Sequence, residues 1–273
     1  MTKKYKNSVI IKEGSVIKNK TNNNVSELFK YLDSRSFNNF PEILDEDEKT
    51  YTMKYIDSND YYEVTKGVEL IKTISELHYK TIFFKDVSKN KYRNIYNRIS
   101  DNIEYLKKYY LGLIEEIENE VYMSPSHYLI ARNYSSIDSS LNYASNELKR
   151  WFNLVSNKTK ERVCIIHNNL SLNHFVKGEK SYLLSWDNHM VDTPILDLYN
   201  FYKKEGYKLD FNYLLKVYNE NLELLKEEKM LLNILISIPP KLENIDDEYK
   251  NTVNIKNMLD YIYSGIDVVN ENK

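Results

Sequence analysis

Cysteine is almost missing from this chain: Cys164 is the only one. No disulfide can form within the chain, which points to a reducing compartment. Glycine is scarce as well, and Gly14 is the only one before Gly67, so no glycine-rich phosphate loop can be built near the start. Long apolar runs are lacking. Val9-Ile10-Ile11 after the basic start is too short for a signal-peptide core. No stretch nears the roughly 20 apolar residues of a membrane-spanning helix. Neither sign of charge dominates: 38 Lys and Arg stand against 40 Asp and Glu. That balance gives no footing for a nucleic acid. The expectation is a soluble, cytoplasmic protein with neither a membrane nor a nucleic acid partner.

What is present fits a folded protein. The chain has 273 residues, 42% of them hydrophobic, enough for one large domain or two lobes sharing a cleft. Charged residues make up 29% and are dispersed, which argues against disorder. There are 25 tyrosines, while Ala131 and Ala144 are the only alanines. This skew reads as AT-rich coding. The tyrosines then fill core and half-buried places and need no cofactor to explain them.

Residues 8–11 and 15–18 are β-type runs on either side of Glu13-Gly14 and predict a hairpin. Thr21 to Asn24 can cap a helix, and Val25, Leu28, Phe29 and Leu32 follow with amphipathic spacing. Residues 41–44 and 49–56 read as strands joined by the acidic turn 45–48. A small β-rich lobe with one helix is expected over 1–57, and a large, mostly helical lobe over 58–273. In the second, Val64, Val68, Ile71 and His78 mark a helix. Residues 89–121 and 138–157 give long helical patterns, and Met123-Ser-Pro-Ser126 breaks the periodicity between them. Residues 162–166 form a β-branched run and 182–185 a shorter one. Helix resumes after Pro194, interrupted at Pro239-Pro240.

The chemistry-bearing stretch is Cys164-Ile-Ile-His-Asn-Asn-Leu-Ser-Leu-Asn-His-Phe-Val176, then Tyr182-Leu-Leu-Ser-Trp-Asp187, then Val191-Asp-Thr-Pro-Ile-Leu-Asp-Leu198. Strand, loop, short strand, loop, helix is an order that turns polar side chains from two loops toward one cleft. This stretch resembles the aminoglycoside phosphotransferase and choline kinase superfamily. The superfamily pattern is His-Gly-Asp-Leu-x-x-x-Asn, then Ile-Asp-Trp-Asp/Glu, then Gly-Asp-Pro-x-x-Asp-Leu. Gly14 to Lys18, the helix at Val25, Phe40-Pro41, 51–56 and Ser75-Glu-Leu-His78 follow the same order upstream. The resemblance covers most of 8–205. It implies an α+β, two-lobed protein-kinase-like fold, and the chain is also similar to spore-coat proteins of that fold.

The resemblance assigns places, and several are substituted here. His167 anchors the loop. Asn169 stands at the catalytic aspartate, His174 at the metal-binding asparagine, and Ser185 at the main metal-binding aspartate. Asp187 and Asn173 are the neighbours that could take over metal binding. Lys18 takes the place of the phosphate-binding lysine, with Glu27 as its ion-pair partner. Met53 and Tyr55 lie on the linking strand that would meet an adenine. ATP and Mg²⁺ are the implied cofactors. An amide cannot take a proton near neutral pH, and loss of a positioned base costs roughly 10²–10⁴-fold. Mg²⁺ prefers hard oxygen ligands, usually with a carboxylate. If 185–187 were extended, Asp187 would lie on the same side as Ser185.

Other constellations carry less. Cys164 and His167 suggest a nucleophile pair, but the thiol sits in an apolar strand. His167, His174, His189 and Asp187 match no zinc spacing. Asp197 reads as structural, binding backbone N–H groups at a helix start. The expected function is a kinase-like protein that is catalytically degenerate and retained to bind a nucleotide, small molecule or protein in the inter-lobe cleft. The alternatives are an active phosphotransferase on a small hydroxyl compound, and a structural or assembly role.

Overall fold

The computed structural model describes every residue except 1–2, 6–7, 12–14, 20–23, 57–61, 89, 244 and 272–273; of 3–5, 8–11 and 19 only the backbone is described. The Glu13-Gly14 turn, Thr21 of the capping cluster and Asp57 lie outside the described residues. In chain order the strands and helices begin with β1 (Lys3–Tyr5), β2 (Ser8–Ile11), β3 (Ser15–Asn19), α1 (Val25–Ser34), β4 (Ile43–Glu46), β5 (Thr50–Lys54) and α2 (Glu63–Thr81). They continue with β6 (Phe83–Asp86), α3 (Lys91–Glu118), α4 (Pro125–Val155), β7 (Lys160–Ile166), β8 (Phe175–Lys177), β9 (Ser181–Leu183) and β10 (Met190–Asp192). The last four are α5 (Ile195–Lys204), α6 (Phe211–Asn221), α7 (Lys226–Ile236) and α8 (Glu248–Glu271).

The chain forms two compact units. The first holds Met1–Phe83, Arg162–Phe201 and Tyr213–Glu223; the second holds Phe84–Glu161, Tyr202–Asn212 and Leu224–Lys273. The first unit is built on an antiparallel sheet in the order β1-β2-β3-β5-β4. The hairpin read from the sequence is present as β2 and β3, and Lys18 on β3 lies opposite Tyr51 on β5. The side chain of Asn24 accepts the Glu27 N–H and starts α1, whose Val25, Leu28, Phe29 and Leu32 are buried. The expected turn at 45–48 is shorter, because Asp45 and Glu46 belong to β4 after a bulge. Asp47 closes it by accepting the Lys49 and Thr50 N–H groups and the Thr50 hydroxyl.

The motif segments lie in the same unit. β7 is buried from Arg162 to Ile166 and pairs antiparallel with β10, while β8 and β9 form a separate small hairpin. Trp186 is the packing centre. Its ring meets Phe29, Phe37 and His167 edge-on, and its indole N–H donates to the Leu183 carbonyl at 2.8 Å. An aromatic cluster with its polar handle satisfied fixes the loop after β9 against α1.

The second unit is helical. α4 packs on α3, α7 and α8. It begins at Pro125, well before the expected 138, because Ser124 accepts the His127 N–H and Pro125 suits the first turn. Met123-Ser-Pro-Ser126 is thus a helix start. Tyr202 is fully buried, with its hydroxyl donating to the Tyr261 carbonyl at 2.6 Å. Gly265 sits where an added Cβ would lie 3.0 Å from the Ile236 carbonyl oxygen, so α8 approaches that turn closely. Among the described residues no helix is long and apolar enough to cross a membrane.

Candidate functional site

The site grows from the end of β7. Asp197, fully buried in the first turn of α5, accepts the His167 N–H on Oδ2 and the Asn168 N–H on Oδ1, both at 2.7 Å. The sequence reading of Asp197 as a structural acid therefore holds. His78 Nε2 lies 3.1 Å from the same Oδ2, and its Nδ1 lies 2.8 Å from the Tyr218 hydroxyl. A carboxylate only accepts, so His78 donates through Nε2, and Nδ1 accepts a hydrogen bond from the tyrosine hydroxyl. His78, legible in the sequence as the end of a helix pattern, is thus the support of the support.

These bonds set the loop backbone. Asn168 is left-handed, with φ 57°. Asn and Gly tolerate that region better than other residues, which explains an asparagine where the pattern has glycine. Its side chain donates to the Asn188 carbonyl and accepts from Asn200.

His167 is fully buried, and its Nε2 lies 2.7 Å from the Leu184 carbonyl. Nε2 therefore carries the proton. Burial, opposed in part by Asp197, pulls the imidazole from its usual value of 6.5 down to about 4. Protonation costs the folded state more than the unfolded one. Stability should therefore fall as pH drops from 6.5 toward 4, since the unfolded chain binds the proton first. His167→Gln, which keeps a donor for Leu184, should flatten that slope in urea titrations at successive pH values. An unchanged slope would assign it to other groups.

Asn169 and His174 lie on the next turn. His174 Nδ1 donates to the Asn169 backbone carbonyl at 2.8 Å, which leaves Nε2 as its acceptor. Asn173 is exposed on a short 3₁₀ turn, where its N–H binds the Ser171 hydroxyl.

The extended geometry expected at 185–187 does not form. Ser185 is left-handed at φ 63° and ψ 53°, and Trp186–Asn188 is a 3₁₀ turn. The burial of Trp186 imposes this bend. It turns the Asp187 carboxylate toward the sheet. Lys18 Nζ reaches Asp187 Oδ2 at 3.3 Å, and the Tyr51 hydroxyl donates to Oδ1 at 3.0 Å. The carboxylate that Lys18 meets is thus Asp187, and Glu27 lies on α1 with its N–H on Asn24. Burial and the Asp187 charge push the Tyr51 phenol well above its ordinary value, so it stays a neutral donor.

Tyr51 is the functional neighbour that sequence reasoning missed. Its place opposite Lys18 follows from sheet register, which only pairing reveals. Met53 is buried on β5, and Tyr55 is exposed just past its end. Cys164 is fully buried with its thiol against the Asp192 carbonyl. Among the described residues no three His, Cys, Asp or Glu side chains gather as a metal site.

No family model matches this sequence, and no curated protein does. Solved structures do match. The chain superposes on an aminoglycoside phosphotransferase from Alicyclobacillus acidocaldarius with a TM-score of 0.73, at 8% identity, covering 100% of this chain and 92% of that one. An AMP-bound spectinomycin phosphotransferase gives 0.54 at 12% identity, over 95% and 89% of the two chains. That enzyme's complex with ADP and spectinomycin gives 0.50 at 11% identity, over 97% and 92%. At such low identity the likeness shows the fold alone. The chain has the α+β, two-lobed, protein-kinase-like fold of the aminoglycoside phosphotransferases, as its sequence predicted.

Proposed function

We propose that this chain is a phosphotransferase-fold protein with lobes at 1–57 and 58–273, whose cleft binds a nucleotide or small molecule without Mg²⁺-dependent phosphoryl transfer. The observation that carries this reading is the state of Asp187, which has one oxygen on the Lys18 ammonium and the other on the Tyr51 hydroxyl. The remaining groups at the implied metal and base places are the Asn169 amide, the His174 imidazole and the Ser185 hydroxyl. Mg²⁺ takes near-octahedral sets of hard oxygens, usually with a carboxylate, and imidazole suits softer metals. The donor set therefore does not suit Mg²⁺. Nor does it include a carboxylate where an acceptor hydroxyl would be deprotonated.

Lys18 is the group left to meet a phosphate, and the internal ion pair competes with any such ligand. The structures of this fold with AMP or ADP bound support a nucleotide as the occupant. Thermal shift and calorimetric titration with AMP, ADP and ATP, each with Mg²⁺ and with EDTA, test the reading. The expected result is a shift that Mg²⁺ does not strengthen, abolished in Lys18→Met. Affinity that rises tenfold or more with Mg²⁺, accompanied by ADP release in the presence of hydroxyl acceptors, would instead favour an active phosphotransferase.

A further inference from the structure

The connection between α3 and α4 holds a feature that the nucleotide reading does not use. Val121 and Tyr122 there are 87% and 91% exposed, and Tyr249 at the start of α8 is 78% exposed. Large apolar side chains grouped at the surface mark interaction sites more often than chance. This connection is also held in place. The Asn119 and Glu120 N–H groups bind the last turn of α3, and Glu120 lies 2.7 Å from His127 Nδ1. Ser126 gives its N–H and its hydroxyl to the two oxygens of Glu248, at 2.6 and 2.9 Å. Those bonds hold the Glu248 carboxyl below its ordinary value, so it is ionised at neutral pH. The apolar tip is therefore presented by an ordered turn.

Beside it lies a groove of about 380 Å³. Leu113, Ile130, Leu242 and Ile255 supply its apolar lining. At Gly112 an added Cβ would meet nothing within 4 Å, so the groove is open above α3. The surroundings are acidic. Lys108 lines the groove, and Lys241 and Lys250 flank it, but Glu115, Glu116, Glu118 and Glu120 on the other side leave the balance negative. Glu243, Asp246, Asp247 and Glu248 follow on the adjoining segment. Glu120 and Asp247 have His127 and Lys250 as partners, while Glu115, Glu116, Glu118, Glu243 and Asp246 are exposed.

We infer that this tip and groove dock a partner protein through a segment carrying Lys or Arg beside apolar side chains, such as one face of a basic amphipathic helix. Charge complementarity selects that occupant. An anionic membrane surface would be repelled. A symmetric contact with a second copy would bring this net-negative patch against its own copy, because a two-fold interface uses the same patch on both subunits. Apolar anchors in a groove with a charged rim are how helix-in-groove recognition works.

The test uses the full chain and a fluorescent four-turn peptide of Leu and Lys with one apolar face, against a Leu and Glu counterpart. Anisotropy should show salt-sensitive binding of the first and at least tenfold weaker binding of the second. The Val121→Ser/Tyr122→Ala double variant and Gly112→Trp, which fills the groove, should each weaken binding at least fivefold with the circular dichroism spectrum unchanged. Equal binding of both peptides, or variants that bind like the parent, would overturn the inference. So would tip-dependent self-association in sedimentation, or tip-dependent binding to phosphatidylserine vesicles.

Discussion

Asp197→Ala should lower stability by about 3–5 kcal/mol, because several buried polar groups lose their partner at once. The carboxylate accepts two loop N–H groups and the His78 Nε2–H, and His78 Nδ1 in turn accepts a hydrogen bond from the Tyr218 hydroxyl. Truncation strands two buried donors and an imidazole at once, and each unsatisfied group costs about 1–3 kcal/mol. Asp197→Asn keeps one acceptor oxygen but puts an N–H₂ where an N–H donor already points, so its loss should be intermediate. Urea unfolding followed by circular dichroism measures both. A midpoint for Asp197→Ala equal to that of the parent would show that the network bears no load. A loop released from Asp197 would also lose the left-handed turn at Asn168, so ligand binding should weaken together with stability.

Reversion should have the largest functional effect. The double substitution Asn169→Asp with Ser185→Asp should make ATP binding depend on Mg²⁺, at least tenfold tighter with the ion than with EDTA. The backbone is ready for it: Ser185 is held at φ 63°, a region that Asp and Asn enter more easily than most residues. The aromatic packing that shapes the loop, from Trp186 to Phe29, Phe37 and His167, is untouched by either change. Asp187→Asn separates two readings. If the Lys18–Asp187 pair competes with phosphate, removing the charge should tighten metal-free nucleotide binding. If Asp187 itself holds metal, the same change should abolish Mg²⁺-dependent binding. A parent protein that already phosphorylates a hydroxyl acceptor at about 1 s⁻¹, the low end of kinase rates, would refute the disarmed reading outright.

The sequence by itself determined the order of the parts, because that rests on local signals, and the class of fold through the resemblance carried by residues 164–198. Apolar spacing marks α1 and α2, a β-branched run marks β7, and polar loops between buried strands mark the site. The same locality made Asp197 legible as a structural acid, since an aspartate at a helix start satisfies nearby N–H groups. Long helices were found but not bounded: α4 starts at Pro125 because Ser124 caps it, and caps are a matter of one side chain's geometry. The short strands β6, β8 and β10 escaped notice because three or four residues carry too little periodicity to register. Such strands exist through their partners.

What only the tertiary structure decided is the state of the site. Sequence distance could not say that Lys18 and Tyr51 stand side by side on neighbouring strands, or that both reach Asp187. Nor could it say that Trp186, by burying its ring, would bend 185–187 out of the extended form and swing that carboxylate toward the sheet. Strand register and ring burial are contacts between residues far apart in the chain. They are fixed only when the whole core closes, and here they choose which cation the remaining carboxylate meets.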